Sequence, residues 1–208
     1  MAGKARSDNF KSPECRLSYA KGLWKPRKIS ETSTREAYGC TLIFPVSARP
    51  ALEKIAAEVI TTEWGDKGLE RAKQGLIHAP FIAGDGPQAR NKETGEIKTG
   101  LGPDVFFIRP TAGIEYPPQV RWRDPNLQMT ENEVYSGCYG KAVLNIFSWH
   151  NSQQGDGVSF GIAMFQKLRE GEKLGGGGIE PDKWMEEVPD EGPATATEGG
   201  RGASGLFG

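Results

Sequence analysis

Five places in this chain set an aromatic ring close to a fixed positive charge. They are Tyr19 with Lys21, Trp24 with Lys25, Arg27 and Lys28, Phe107 with Arg109, Trp122 between Arg121 and Arg123, and Tyr139 with Lys141. Each falls on a segment of strand-like composition, where residues i and i+2 point to the same side, so ring and cation would lie next to each other. An unpaired polynucleotide rewards that pairing. Its open bases stack on flat rings, worth roughly 1–3 kcal/mol per base, and its phosphates attract Lys and Arg blindly to sequence but with strong salt dependence. A duplex hides its base faces and would gain little. The candidate contact set is therefore Tyr19, Trp24, Lys25, Arg27, Lys28, Phe107, Arg109, Arg121, Trp122, Arg123, Tyr139 and Lys141.

Aromatic residues on strands ordinarily fill the interior, and Phe44, Phe106, Phe147 and Phe165 are assigned there. A Trp flanked by cations, as at Trp122 or Trp24, is harder to bury because its neighbours must stay wet. Other chemistry has little to stand on. His78 and His150 sit at no metal-ligand spacing with another His or Cys, and a zinc site needs three or four such ligands. The run Gly175–Gly178 is followed by no Gly-Lys-Ser/Thr, so it is not a phosphate loop. "GDGVSFG" (155–161) opens a strand and is turn chemistry. Asp85, Asp104 and Asp124 could cluster on a metal as nuclease carboxylates do, but each adjoins Gly or Pro and reads as a turn residue. No catalytic residue, metal or cofactor is expected, and the protein reads as a binder, not an enzyme.

The elements that must carry these residues are mostly strands. "REAYGCTLIFPV" (35–46) alternates and ends at a proline, and Leu52, Ile55, Ala56 and Val59 then recur at helical spacing. "WGDKGLERAKQ" suggests a second short helix. "GDGPQARNKETGEIKTGLG" (84–102) reads as a long exposed loop, "DVFFIRPTA" (104–112) as a strand, and "QVRWRD" (119–124) as a short one. Residues 135–149, "YSGCYGKAVLNIFSW", put Cys138, Ala142, Leu144 and Ile146 on one face, a plain core. With Val158–Leu168 they form a β-hairpin across "HNSQQGDG". Five or six strands with a helix inserted partway fit a partly open barrel of the OB type, and a β-sandwich also stays open.

The 208 residues hold 37% hydrophobic residues with 28 Gly and 14 Pro, a composition for one loop-rich β domain with soft ends. The division expected is a flexible N-terminus (1–13), the binding domain (14–178) and a disordered acidic tail (179–208). Of 26 basic and 27 acidic residues, the segment from Glu180 on holds two basic and seven acidic ones, so the body is net +4 and the tail −5. No apolar run is long enough to span a membrane, and "MAGKARSDNFKSPE" has no apolar segment of the secretory kind. Cys15, Cys40 and Cys138 cannot all pair, which points to a reducing compartment.

The run "VYSGCYGKAVLNIFSW…GDGVSFGIAMFQKLREGEKLGGG" resembles the closing hairpin of the phage single-stranded-DNA-binding proteins of the Enc type. The shared positions are Tyr135, Gly137 and Tyr139, then Gly157, Gly161, Gln166 and Lys167, then Gly171, Glu172, Leu174, Gly175 and Gly176. "YGCTLIFP" (38–45) followed by a helix is similar to that family's early strand and inserted helix. The resemblance covers about residues 15–178. It implies an OB-fold that coats single-stranded DNA during phage replication or recombination in the host cytoplasm, without catalysis and without a metal. It also implies an acidic tail that docks phage or host replication proteins and competes with DNA, and self-association is a further expectation. The rival readings are an RNA binder on the same fold, a virion or scaffold protein whose ring patches are subunit contacts, and a metal-dependent nuclease.

Overall fold

The computed structural model describes residues 5–29 and 34–175, so the tail expected from residue 179 lies outside the described residues. Strands β1 (Phe10–Lys11) and β2 (Cys15–Ser18) lead through a turn at Ala20–Leu23 to the short β3 (Arg27–Lys28). The alternating segment 35–46 is bent at Cys40 into β4 (Glu36–Gly39) and β5 (Thr41–Pro45). Helix α1 (Arg49–Trp64) starts with Pro50 in its first turn, where the missing N–H costs nothing. It buries Leu52, Ala56, Val59 and Ile60, and it stops at Gly65, whose φ of 68° an L side chain resists. The short α2 (Gly68–Lys73), β6 (Ile77–His78) and β7 (Ile82–Ala83) follow. Pro110 then splits the next strand into β8 (Val105–Ile108) and β9 (Thr111–Gly113). The chain ends in β10 (Gln119–Arg121) and the long hairpin of β11 (Tyr139–Asn151) and β12 (Gly155–Arg169).

Pairing closes these pieces into a barrel. β2 lies between β11 and β5, β5 pairs β8, and β4 pairs β9, all antiparallel. β9 meets β12 in parallel at Thr111 and Gly161, and β12 pairs β11. With β4–β5 and β8–β9 taken as two bent strands, five strands form the barrel ring, and β1, β3, β6, β7 and β10 are short additions to it. The five run in the order β2, β4–β5, β8–β9, β12, β11 and back to β2, the strand order of an OB barrel. The helix follows the second strand. The barrel is thereby favoured over the sandwich, because a single sheet curls on itself and two sheets do not face each other.

The hairpin face read as core is core: Cys138, Ala142, Leu144 and Ile146 are each 2% exposed or less. Phe44 and Phe106 stack at 5.5 Å, and Phe81 meets Phe106 and Phe160 edge-on at 6.0 and 5.7 Å. Phe165 is sealed with them. Phe147 is half-buried instead, with the Arg6 guanidinium 5.7 Å from its ring.

Two segments depart from expectation. The sequence predicts a flexible N-terminus through residue 13, yet residues 5–12 lie along β11. Ser148 N–H donates to the Ala5 carbonyl, Ser7 N–H to that of Ile146, and Ser12 N–H to that of Ala142, at 2.8–2.9 Å. The hydroxyls of Ser7 and Ser12 accept the Ile146 and Ala142 amides in return, so a polar-looking stretch completes a sheet edge. The 84–102 segment is also more than an exposed loop. Arg90 and Ile97 form a β-bridge, and Ala89 is completely buried between this segment and the barrel wall.

A charged latch ties the tip of the hairpin to α1 and α2. His150 contacts Glu63 Oε1 through Nε2 and Asp156 Oδ1 through Nδ1, each at 2.8 Å, and Arg71 donates to Asp156 Oδ2 at 2.8 Å. Glu63 Oε2 also accepts the Ala5 amide and the Ser148 hydroxyl. The His150 contact and these two donors hold Glu63 down from 4.5 to about 2, while Glu63 and then Asp156 push His150 up from 6.5. The two shifts act on opposite sides. The depressed Glu63 stabilises above about pH 4.5 and loses this as pH falls toward about 2, whereas the raised His150 stabilises below about pH 6.5 and loses this as pH rises through its folded value. The Ala5 and Ser148 amides are therefore expected to be best protected from hydrogen exchange near about pH 5 to 6. Their protection should fall by pH about 8, and His150→Gln should remove that alkaline loss; equal protection at both pH values in the parent protein would contradict the latch.

Candidate nucleic-acid interface

The OB barrel offers one face for ligands, the outer surface of its second and third strands with the loop that follows the first strand. Here that face is β4–β5 and β8–β9 flanked by the 19–29 segment, and it carries two adjoining recesses. One is bordered by Arg27, Lys28, Tyr38, Thr41 and Arg109. The other, about 540 Å³, runs between β5, β8 and the 86–101 segment. Tyr19, Thr41 and Arg109 border both, so the recesses form a continuous trough.

Tyr19 is the centre of the trough and is strained. Its φ of 56° and ψ of 43° make it the one non-glycine residue in the left-handed region among the described residues. Such a conformation costs about 1–3 kcal/mol and persists where the surroundings impose it. Here the next amide, Ala20 N–H, is held by the Ser136 hydroxyl at 3.1 Å, and Gly22 N–H closes a turn on the Tyr19 carbonyl. Gly22 is needed there, since a Cβ would strike the Gly39 carbonyl. The result is a ring 48% exposed, with the Arg27 guanidinium 5.3 Å from its centre. Arg109 lies 5.3 Å from the Phe107 ring and donates to Gln88 Oε1 at 3.0 Å. Desolvation, with Arg27 as a like-charged neighbour, draws Arg109 below its ordinary value, but a guanidinium remains charged at neutral pH.

The structure thus divides the candidate residues. Tyr19, Arg27, Lys28 and Arg109 share the trough. Phe107 does not serve it as a stacking ring, contrary to expectation: it is 1% exposed. Its i, i+2 relation to Arg109 is right, but Ala89 and Leu174, from segments far apart in sequence, cover that face of β8. Trp24 is half-buried against the main core, and Lys25 is paired with Glu131 at 3.1 Å.

The remaining candidates lie on another part of the barrel. Arg121 on β10, Gln166 on β12 and Lys141 on β11 stand in one row across three strands. Tyr139 is flanked by two guanidiniums, Arg169 at 3.6 Å and Arg16 at 5.6 Å, which compete with any base for its ring. Trp122 is half-buried, and Arg123, 5.6 Å from its ring, donates to the Leu168 carbonyl. The more telling neighbour of Trp122 is Lys167. That residue is 3% exposed, with its ammonium between the Trp122 and Tyr135 rings at 5.2 and 5.1 Å. It donates to the Glu133 carbonyl and to Glu170 Oε1 at 2.7 and 2.6 Å. Trp122 is therefore the wall of a buried cation. Trp122→Ala is expected to destabilise the fold by about 2–3 kcal/mol, by lost packing and a lost cation–π contact. Thermal melting measures the loss, and titration of the folded fraction should show DNA affinity little changed; intact stability with weakened binding would return Trp122 to the contact set.

Tyr38, Thr41, Gln88 and Asn91 border the trough and were not singled out from sequence. Tyr38 begins the "YGCTLIFP" motif, so a signal for it existed; the two amides had none, since only the folded 86–101 segment brings them to the barrel. Among the described residues no group of three or more His, Cys, Asp or Glu side chains is placed to hold a metal ion. No helix there is long and apolar enough to cross a membrane.

The p50 protein of Acyrthosiphon pisum secondary endosymbiont phage 1 is 27% identical over 163 residues, 76% of this chain and 82% of that protein. The single-stranded DNA-binding protein from bacteriophage Enc34, solved in complex with ssDNA, superimposes with a TM-score of 0.57 at 21% identity, over 80% of this chain and 89% of that one. Another structure of that phage protein gives 0.55 at 20% identity, over 84% and 88%. These superpositions establish a shared fold. The family profile described as the ssDNA-binding protein of Enterobacter phage Enc34 matches residues 9–192, and the chain belongs to that family.

Proposed function

We propose that this protein coats and protects single-stranded DNA during phage DNA replication and recombination inside the host cell, without catalysing a reaction. The observation that carries the reading is the trough on the second and third strands. There an exposed, conformationally strained Tyr19 stands beside Arg27 and Arg109. Tyr19 and Tyr38 offer base-stacking surfaces, and Arg27, Lys28 and Arg109 track phosphates. Family membership supports the same reading. The acidic segment 179–208 would dock replication proteins and compete with DNA for the trough.

The test is a fluorescence titration of the full chain with oligo-dT, oligo-rU and duplex DNA across a salt series. Tight binding of oligo-dT over duplex is expected. If about four phosphates are neutralised, log affinity falls with log salt at a slope near −3, taking about −0.7 per contact. Preference for oligo-rU would turn the assignment to RNA, and salt-independent self-association without DNA binding would turn it to a structural role.

A further inference from the structure

The larger recess has a polarity that bears on which bases it accepts, given the single-strand reading on which this inference rests. Its volume of about 540 Å³ falls in the range of sites that enclose a small ligand. Its base is apolar, with Leu101 and Leu174 lying over the nearly sealed Ile43 and Phe107 of the barrel. Its rim carries two side-chain amides, Gln88 and Asn91, both on the 86–101 segment.

Both amides are oriented by the protein. Gln88 Oε1 accepts from Arg109 Nη1 at 3.0 Å. Asn91 Oδ1 accepts from the Glu93 amide at 3.0 Å, closing a turn. Each oxygen thus has one lone pair engaged inside the protein, whereas each NH₂ group keeps both of its donors for a ligand. Lys98 adds a third donor on the rim, while Glu96, a carboxylate there, receives the Thr94 hydroxyl at 3.4 Å. The rim is thus rich in donors. Thymine, uracil and guanine present carbonyl oxygens at O4 or O6, whereas cytosine and adenine present an NH₂ donor at the equivalent place. A donor facing a donor leaves both without partners, which discriminates more sharply than a lost methyl contact does.

We propose that this recess seats one unstacked base of the bound strand and favours a keto base over an amino base, with Gln88 and Asn91 as the selecting residues. The neighbouring trough grips the backbone blindly, so the result is a bias in register along the strand and not a sequence motif.

Matched oligo-dU and oligo-dC, in slightly alkaline buffer where cytosine is unprotonated, differ at the base edge in O4 against N4 and in N3–H against a bare N3 acceptor. Titration of the full chain is expected to give oligo-dU about three- to tenfold tighter binding, the value of a net hydrogen bond or slightly more. In Gln88→Met/Asn91→Asp the ratio should fall to about one or below. Aspartate keeps the acceptor that closes the turn, and any general loss from its charge applies to both oligonucleotides equally. Should the double variant fail to fold, Gln88→Met alone, an exposed change, reads the same ratio. Equal salt-dependent affinity for the two strands in the parent protein overturns the base recess and leaves single-strand binding standing. An unaltered preference in the folded variants also overturns it, by assigning the bias to the strand's own stacking. Salt-dependent binding of neither strand overturns the functional reading itself.

Discussion

Tyr19→Gly is expected to weaken single-stranded DNA binding by about 1–3 kcal/mol, the value of one base–ring stack, which is roughly a 5- to 150-fold rise in Kd. The same change should leave the melting temperature unaltered or raise it. The reason is the left-handed backbone at this position. A tyrosine there carries strain that glycine does not, and with 48% of its surface exposed its side chain contributes little core packing. Most substitutions that remove a functional ring risk confusing lost binding with lost folding. Here the two move apart. Tyr19→Phe is the companion variant and should bind nearly as the parent does, since it keeps the ring. Titration with oligo-dT and a thermal melt on the same samples test both halves. A destabilised Tyr19→Gly protein, or one that binds as well as the parent, would contradict the role assigned to this residue.

Arg27→Gln/Arg109→Gln is expected to lower affinity on the order of 50- to 100-fold at low salt and to flatten the salt slope by about 1.4, two phosphate contacts at about 0.7 each. The change in slope is the diagnostic. A residue that acts by packing alters affinity at every salt concentration equally, whereas a residue that displaces counterions alters the slope. The substitutions should be mild for the fold, since Arg27 and Arg109 are both exposed and Arg109 gives up one hydrogen bond, to the exposed Gln88, and a contact with the Phe107 ring. Arg121→Gln/Lys141→Gln, on the row across β10, β12 and β11, is the control. If that pair flattens the slope and the Arg27/Arg109 pair does not, the DNA path crosses the other side of the barrel.

How much of this was legible in the amino-acid order depends on the range of the interactions involved. Alternation along 138–146 named the core face of β11, because a strand's two-residue period is a local property. The spacing of Leu52, Ala56 and Val59 named the buried side of α1 for the same reason. The hairpin glycines and the Gln166–Lys167 pair pointed to the right family. The pairing of rings with cations was also local, since i and i+2 share a face wherever a strand forms.

What covers a face is decided by segments remote in the chain. Phe107 and Tyr19 look equally available in the sequence, yet Ala89 and Leu174 close over one while a strained turn lifts the other into solvent. Lys167 reads as an ordinary surface cation until Trp122 and Tyr135 are folded around it. Residues 5–12 look like a loose polar end, and become a sheet edge because their serines can complete hydrogen bonds that β11 supplies. The amino-acid order by itself determined which residues could stack, attract phosphate or fill a core, since those are properties of a side chain and its nearest neighbours. The closed barrel alone decided which of them share one solvent-facing trough, because burial is set by contacts between strands and loops tens of residues apart.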